Sequence, residues 1–501
     1  MKKLFGVIVV ILALAAAGFV GAAYWSGMQA ERWYREALAE GAKNPNVKFS
    51  TMRYERGLFS SQSVTRVQLV LPEGESKEVD PSFSIRQDIY HGPLPLAGRS
   101  VPGVPMQWGG AVIRATLDPE SSAWTRELAK LYGKLEPVEA ISRVGFDGAS
   151  DTRITMPPLT LSNVNELQSL KFSGLQGQFQ VAPRAAAVRG KLIVASLDLV
   201  GKPEASGGAQ VKLNGLNVNV NQRKGAFDLL FGDSSIGIGE LRVQDQATGA
   251  PFVATNLAIT GALDPQGAQQ VAGAVMIKAD KVTVDQQSGS GSLRLALRNL
   301  DGVTVARLQE WQQKLASQPE DPRALDELIN LLRTLLRGKP EFTFDSQAKL
   351  AQGDWQGKLT LNFQDFGEAN PLLDPSALLR VVEKGTAEGA ASKALVEALL
   401  IGAIKEQLMA QSQAQGKPAS EPVVRNLAAQ QVAQQLQGLT TAGFIRLEGD
   451  QYRSSARFEG GRLFVNGQEI PLGITAGAED GAPEDEVPLE PDDGAEAPTR
   501  R

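Results

Sequence analysis

The chain has 501 residues, a formal net charge of −5, no cysteine and a single histidine, His91. The lack of cysteine excludes disulfides, thiol nucleophiles and thiolate metal sites, and a single histidine excludes multi-histidine zinc centres. Residues 479–501 carry a net charge of −7, which leaves residues 1–478 at +2, so the chain lacks the basic excess of a nucleic-acid-binding protein.

The N-terminal stretch Leu4–Trp25 is an uncharged run of apolar and small residues that follows Lys2 and Lys3. A helix over this run would be roughly 33 Å long, enough to cross a hydrocarbon core of about 30 Å. The two lysines on the leading side and the aromatic residues at the far end place the N-terminus in the cytoplasm. Residues 1–25 are therefore predicted to be a transmembrane signal anchor, with the bulk of the chain outside the cytoplasm.

The same run also fits a cleaved secretory signal, because Ala15, Ala16 and Ala17 offer a small-residue cleavage site. The apolar run continues past that site through Phe19 and Val20, which favours an uncleaved anchor. Both interpretations export the rest of the chain.

After the anchor, residues 26–45 are predicted to form a membrane-proximal helix. Residues 46–300 are predicted to be an exported β-rich region, because apolar residues alternate with polar ones over many short segments. The apolar phase changes at Gly215, which predicts a bulge or a tight turn there. No helical crossover separates these strands, so the sheets are predicted to be antiparallel.

Three interruptions of this strand pattern are predicted. Residues 88–105 are rich in proline and glycine, which predicts a loop. Arg56-Gly57 predicts a turn between two strands. A helix is predicted from about Glu120 to Tyr132, with Asp118 as its N-cap and a proline at its first position.

Residues 301–472 are predicted to be an exported α+β region. An amphipathic helix opens at Asp321-Pro322 and ends at Gly338, and a longer helical block runs with breaks from Asp374 to Gln437. Strands then return, and Asn466-Gly467 predicts a hairpin turn. Residues 473–501 are too acidic and too poor in apolar residues to fold, which predicts a disordered tail.

Together these elements predict a β-dominated α+β fold. A single N-terminal transmembrane helix is followed by extended twisted antiparallel sheets that carry a few covering helices.

Three phrases spread along the chain resemble the YdgA-like family of Gram-negative envelope proteins, a family of unknown function. They lie at Tyr54–Phe59 (YERGLF), Asp88–Pro93 (DIYHGP) and Leu463–Leu472 (LFVNGQEIPL). The resemblance implies an inner-membrane anchor with most of the chain in the periplasm. It implies no reaction, since the family has no established one.

His91 is the residue most suggestive of chemistry, because it is the only histidine and lies close to Asp88. A catalytic triad would need a serine brought to it by folding, and no GxSxG elbow supplies one. We expect Asp88 and His91 to hydrogen-bond backbone groups of a turn. No catalytic, cofactor-binding or metal-binding residue is predicted, and no cofactor.

The composition and the pattern favour a non-enzymatic, membrane-tethered periplasmic envelope protein that binds a partner protein or a lipid. A long curved sheet with an apolar concave face would shelter acyl chains. The alternative is a periplasmic hydrolase that acts on an envelope substrate. A homo-oligomer also stays open, because the glutamine-rich segment Gln430–Gln437 suits either a solvated helix face or a contact between subunits.

Overall fold

A computed structural model describes residues 2–41, 47–70, 82–92, 101, 103–104, 109–164, 166–203, 208–244, 251–284, 287–317, 323–365, 380–414 and 420–471. The predicted acidic tail, residues 473–501, lies outside the described residues.

The helices within these ranges are α1 (Lys2–Gly41), α2 (Ala123–Tyr132), α3 (Gly302–Ser317), α4 (Ala324–Arg337), α5 (Lys393–Ala414) and α6 (Glu421–Thr441). Short 3-10 turns occur at Pro119–Ser121, Pro183–Ala185 and Ala226–Asp228. No helix within the described residues combines the length and the apolar character that a membrane crossing requires.

The strands are β1 (Val47–Arg56), β2 (Ser60–Leu69), β3 (Ser82–His91), β4 (Ala111–Leu117), β5 (Glu139–Val144), β6 (Ser150–Met156), β7 (Leu159–Val164), β8 (Leu167–Phe172), β9 (Leu175–Val181), β10 (Ala187–Gly201) and β11 (Gln210–Lys224). They continue with β12 (Leu230–Gln244), β13 (Pro251–Gln266), β14 (Gln270–Val284), β15 (Gln287–Asp301), β16 (Glu341–Leu350), β17 (Gly353–Phe363), β18 (Val382–Ser392), β19 (Arg446–Glu448), β20 (Gln451–Glu459), β21 (Arg462–Val465) and β22 (Gln468–Ile470).

All of these strands belong to one sheet, and every pairing among the described residues is antiparallel. Neighbours run from β1 to β6, then β9 to β18, then β20 to β22. Strands β7 and β8 form a hairpin, and β8 pairs with the C-terminal part of β10. Strand β19 pairs with one end of β20. The predicted β-dominated antiparallel architecture with a few helices is confirmed, and short connections keep sequence neighbours adjacent in space.

The long strands β10 to β13 are interrupted along one line that crosses the sheet. Ladder pairing skips Ala195 opposite Gly215, and it skips Gly239 opposite Asn256. Gly215 and Asn256 have positive φ angles of 67° and 50°. The irregularity predicted at Gly215 is therefore present. It is a residue in the left-handed region, which glycine adopts without steric cost, and not an inserted residue, because the register is the same on both sides.

Helices close two parts of the sheet. The second half of α1 packs on the first strands, where Ala30 joins Ile89, Ala111 and Val144 in a buried cluster. Helices α3 and α4 pack at one end of the long strands, over a second cluster formed by Leu229, Phe231, Val271 and Leu300.

Helix α6 packs on α5 through one stripe of side chains. The buried residues of α6 recur every fourth position, as packing along one helix face requires: Val424, Ala428, Val432 and Leu436. Helix α5 follows directly after β18 and contacts β17, β18 and β20.

Two sequence predictions are wrong within the described residues. The loop predicted for residues 88–105 begins later, because β3 continues to His91 and pairs on both sides, with β2 and β4. The helical block predicted from Asp374 contains strand β18, which pairs with β17 and β20. In both places two flanking strands outweigh weak local propensity. Residues 93–100 and 366–379 lie outside the described residues.

The predicted first helix of the β-rich region is divided in two. Asp118 accepts a hydrogen bond from the backbone N–H of Glu120 and caps the 3-10 turn. Helix α2 begins after it, with Ser122 as N-cap in a capping box with Thr125. The turn at Arg56-Gly57 and the hairpin at Asn466-Gly467 lie where they were predicted.

Candidate functional site

One face of the sheet is uncharged along three rows of cross-strand partners. Residues that pair directly across antiparallel strands point to the same face. The first row crosses ten strands, through Ala115, Ala140, Ile154, Gly177, Leu192, Val218, Ile236, Ile259, Ile277 and Leu293.

Two further rows lie beside the first, because Ile259, Gly261 and Leu263 alternate along β13 and so share a face. The second row consists of Gly261, Val275, Leu295, Phe344, Leu359, Ala387, Ala456 and Val465. The third consists of Leu263, Gly273, Leu297, Phe342, Leu361, Gly385, Phe458, Leu463 and Ile470. We call the surface formed by these three rows the apolar face.

The opposite face of the same strands carries the charges. One of its rows alternates in sign, through Arg294, Asp345, Lys358 and Glu388. Opposite charges at directly paired positions attract each other across the strands. The two sides of the sheet therefore differ, because this row of charges lies on the side opposite the apolar face.

The apolar face is not fully covered. Several of its large side chains remain exposed to solvent: Ile236, Ile259, Val275, Ile277 and Leu297. Ile277 is 38% exposed although both of its ladder partners are aliphatic. A contiguous exposed apolar surface of this kind marks a binding surface more often than single exposed residues do.

The apolar face continues beneath α1. Val144 lies on the same side of β5 as Ala140, pairs with Ala111 on β4, and belongs to the cluster that packs against Ala30 of α1. Trp33 of α1 also lies against this part of the sheet, where it contacts glycine backbone. One end of the apolar face therefore already holds a helix of the same chain, through Ala30 and Trp33.

Polar groups fix α1 in this position. The Tyr34 hydroxyl lies 2.8 Å from the Thr65 hydroxyl and 3.1 Å from that of Thr51. At the edge of the contact, Arg56 of β1 forms an ion pair with Glu31 of α1 at 3.2 Å. These directional contacts fix the register of the helix on the sheet, which apolar packing alone specifies less tightly.

His91 lies at the end of β3, on the apolar face and beneath α1. Its side chain is buried, and Nε2 is 3.1 Å from the Ser61 hydroxyl oxygen. Gly27 of α1 crosses the ring so closely that an ideal Cβ there would be 2.7 Å from Cε1 of His91. Any larger side chain at this crossing would push α1 away from the sheet.

The environment of His91 favours its neutral form. Burial lowers the pKa of His91, and the positive charge of Arg56 acts in the same direction, while backbone groups of Ala23 and Ser60 oppose the shift. No group in the described chain completes a hydrogen bond with Nδ1.

Asp88 and His91 do not act together. They are three residues apart on one strand, which directs their side chains to opposite faces. Asp88 accepts a hydrogen bond from the Gln62 amide at 3.2 Å, and His91 contacts the Ser61 hydroxyl instead of a turn. Within the described residues no metal-binding group of three or more acidic or histidine side chains is formed. The candidate functional site is therefore the apolar face, and not His91.

We expect acidification to weaken the fold through His91. Because burial lowers the pKa of the folded histidine, its stabilising effect is complete above the unfolded pKa of about 6.5 and is lost as the pH falls towards the folded pKa. Thermal unfolding of the full chain in detergent should show that the wild-type protein loses more stability from pH 8 to pH 5 than the His91→Gln variant does, because glutamine cannot titrate. Parallel curves for the two proteins would contradict the assignment.

Sequence reasoning predicted an apolar sheet face that shelters acyl chains, but it did not identify the residues that form this face. The alternation on each strand was visible, but which rows align depends on the register between strands. The resemblance phrases pointed to His91 and to the C-terminal hairpin, and the structure places both on this face.

Comparison with known proteins adds family-level information. The family model described as "Bacterial protein of unknown function (DUF945)" matches residues 1–473. The chain is similar to Protein YdgA of Escherichia coli strain K12, with 25% identity over 508 aligned residues that cover 94% of this chain and 95% of the relative. No solved structure matches the chain.

Proposed function

The chain belongs to the DUF945 family of bacterial proteins of unknown function, the YdgA-like family. From that premise we propose that it is a non-enzymatic, membrane-tethered envelope protein. Its apolar face would hold the acyl chains of a lipid. The observation that carries this proposal is the apolar face itself: three uncharged rows on one side of a sheet whose other side is charged.

The tether of this proposal is the apolar run Leu4–Trp25, which would hold the chain in the inner membrane with its sheet in the periplasm. This run belongs to α1, and the same helix continues to Gly41. The buried part of α1 begins within the last turn of the apolar run, at Ala23, and continues to Ala30, which packs on the sheet. A helix leaving the bilayer would therefore lead directly onto the apolar face.

The packing of Ala30 and Trp33 of α1 on one end of the apolar face supports an elongated apolar occupant for the rest of the face. Acyl chains gain free energy when apolar area is removed from water, at about 25 cal/mol per Å². Acyl chains need no hydrogen bonds from the side chains that surround them. The uncharged rows beyond α1 offer such an environment, and a bilayer next to the tether would supply the chains.

The test is whether lipid accompanies the protein. The full chain would be purified in a mild detergent, transferred to a second detergent to remove loosely held lipid, and examined by native mass spectrometry. We expect adducts with the masses of membrane phospholipids that persist after detergent exchange. A single-span membrane protein without such a sheet, treated identically, is the control. Lipid-free protein, or equal retention by the control, would overturn the proposal.

A further inference from the structure

The three rows that form the apolar face contain no charged side chain over their whole length. They cross between eight and ten strands each, and their members are aliphatic residues, phenylalanine, alanine and glycine. The row positions themselves therefore offer a lipid neither a cation for a phosphate nor an anion for an amine.

The charges on the neighbouring positions are directed away from the apolar face and are paired with each other. Arg298 lies 3.8 Å from Glu341, and Lys384 lies 3.4 Å from Glu459, in both cases between adjacent strands. These side chains alternate with the row residues along their strands, so they project from the other side of the sheet. These side chains are therefore not placed to bind the headgroup of a lipid held over the apolar face.

A charged headgroup without a partner pays a large desolvation cost if it is buried. The headgroup of a bound lipid would therefore stay in water, and only the chains would enter the face. Discrimination between two lipids requires different interaction free energies with each of them. Along these rows two lipids with the same chains and different headgroups meet the same surface.

We infer that the apolar face selects lipids by their acyl chains and is indifferent to their headgroups. This inference rests on the proposed lipid-binding function and specifies its substrate class: lipids whose chains are long enough to cover several strands, whatever headgroup they carry. Chain length then determines affinity, because each buried methylene adds apolar area removed from water.

The experiment offers the full chain in detergent an equimolar mixture of phosphatidylethanolamine, phosphatidylglycerol and phosphatidic acid with identical chains, and measures bound lipid by native mass spectrometry. We expect the three lipids to bind within about threefold of one another, and 0.5 M salt to change this ratio little. A parallel mixture of phosphatidylglycerols should show six-carbon chains binding at least about a hundredfold more weakly than sixteen-carbon chains.

The outcomes separate the inference from the proposal beneath it. Enrichment of one headgroup by about tenfold or more, or a strong effect of salt, would overturn headgroup indifference while leaving lipid binding intact. Equal binding of short and long chains would overturn selection by chains. If none of the lipids binds, the proposed function fails and this inference fails with it.

Discussion

Replacing Ile277 by aspartate is expected to reduce lipid binding by at least about tenfold, because an ionised carboxylate next to acyl chains carries a desolvation cost of more than about 1.4 kcal/mol. Ile277 belongs to the first row of the apolar face, where it pairs with Ile259 on one side and Leu293 on the other. It is exposed, so the substitution should change the stability of the protein by little.

The adjacent residue supplies a matched control. Met276 lies on the same strand, is 42% exposed against 38% for Ile277, and pairs with Arg294 on the charged face. Met276→Asp therefore introduces the same charge at similar exposure on the other side of the sheet. It should retain wild-type lipid occupancy in native mass spectrometry. Equal losses in both variants, or no loss in Ile277→Asp, would show that the apolar face is not where lipid binds.

Gly27→Leu is expected to displace α1 from the sheet, at a cost of about 1–3 kcal/mol or more, because there is no room for a side chain over the His91 ring. A displacement of this size should raise the exposure of Ala30, which is buried in the α1 contact. The chain has no cysteine, so Ala30→Cys provides a unique thiol. In that background Gly27→Leu should speed maleimide alkylation by about five- to 150-fold.

Gly21→Leu is the control for this prediction. It makes the same substitution in the same helix, at a glycine where an ideal Cβ meets no atom within 4 Å. Both variants gain the same helix propensity, so a difference between them reports the contact with His91. Similar alkylation rates for the two variants would mean that Gly27 does not set the approach of α1 to the sheet.

Much of the fold was predictable where local signals agree with the final pairing. The C-terminal hairpin is an example, because Asn466-Gly467 suits the turn that the chain adopts, with φ angles of 49° and 87°. The irregularity at Gly215 was also visible, as a change of apolar phase within one strand. The predictions failed at β18, whose sequence VEKGTAEGAAS contains only two β-branched side chains, Val382 and Thr386. Its strand conformation comes from pairing with β17 and β20, which lie far from each other in sequence.

The candidate site was less predictable than the fold. Asp88 and His91 are close in sequence, and only their alternation along β3 separates them onto two faces. Ser61 reaches His91 because β2 pairs with β3, and Gly27 reaches it because α1 folds back over both strands. None of these contacts follows from spacing along the chain.

Alternation within each strand is a local property, so the sequence alone determined that the chain builds antiparallel strands with one apolar side. Its composition alone excluded disulfides and multi-histidine metal sites. Only the tertiary structure decided which residues of different strands align, and a shift of one residue in any pairing would have sent a whole strand's apolar side chains to the other face. The three uncharged rows exist because the register agrees across up to ten strands. That agreement is set by long-range pairing and by the seat of α1 on the first strands, which no local pattern encodes.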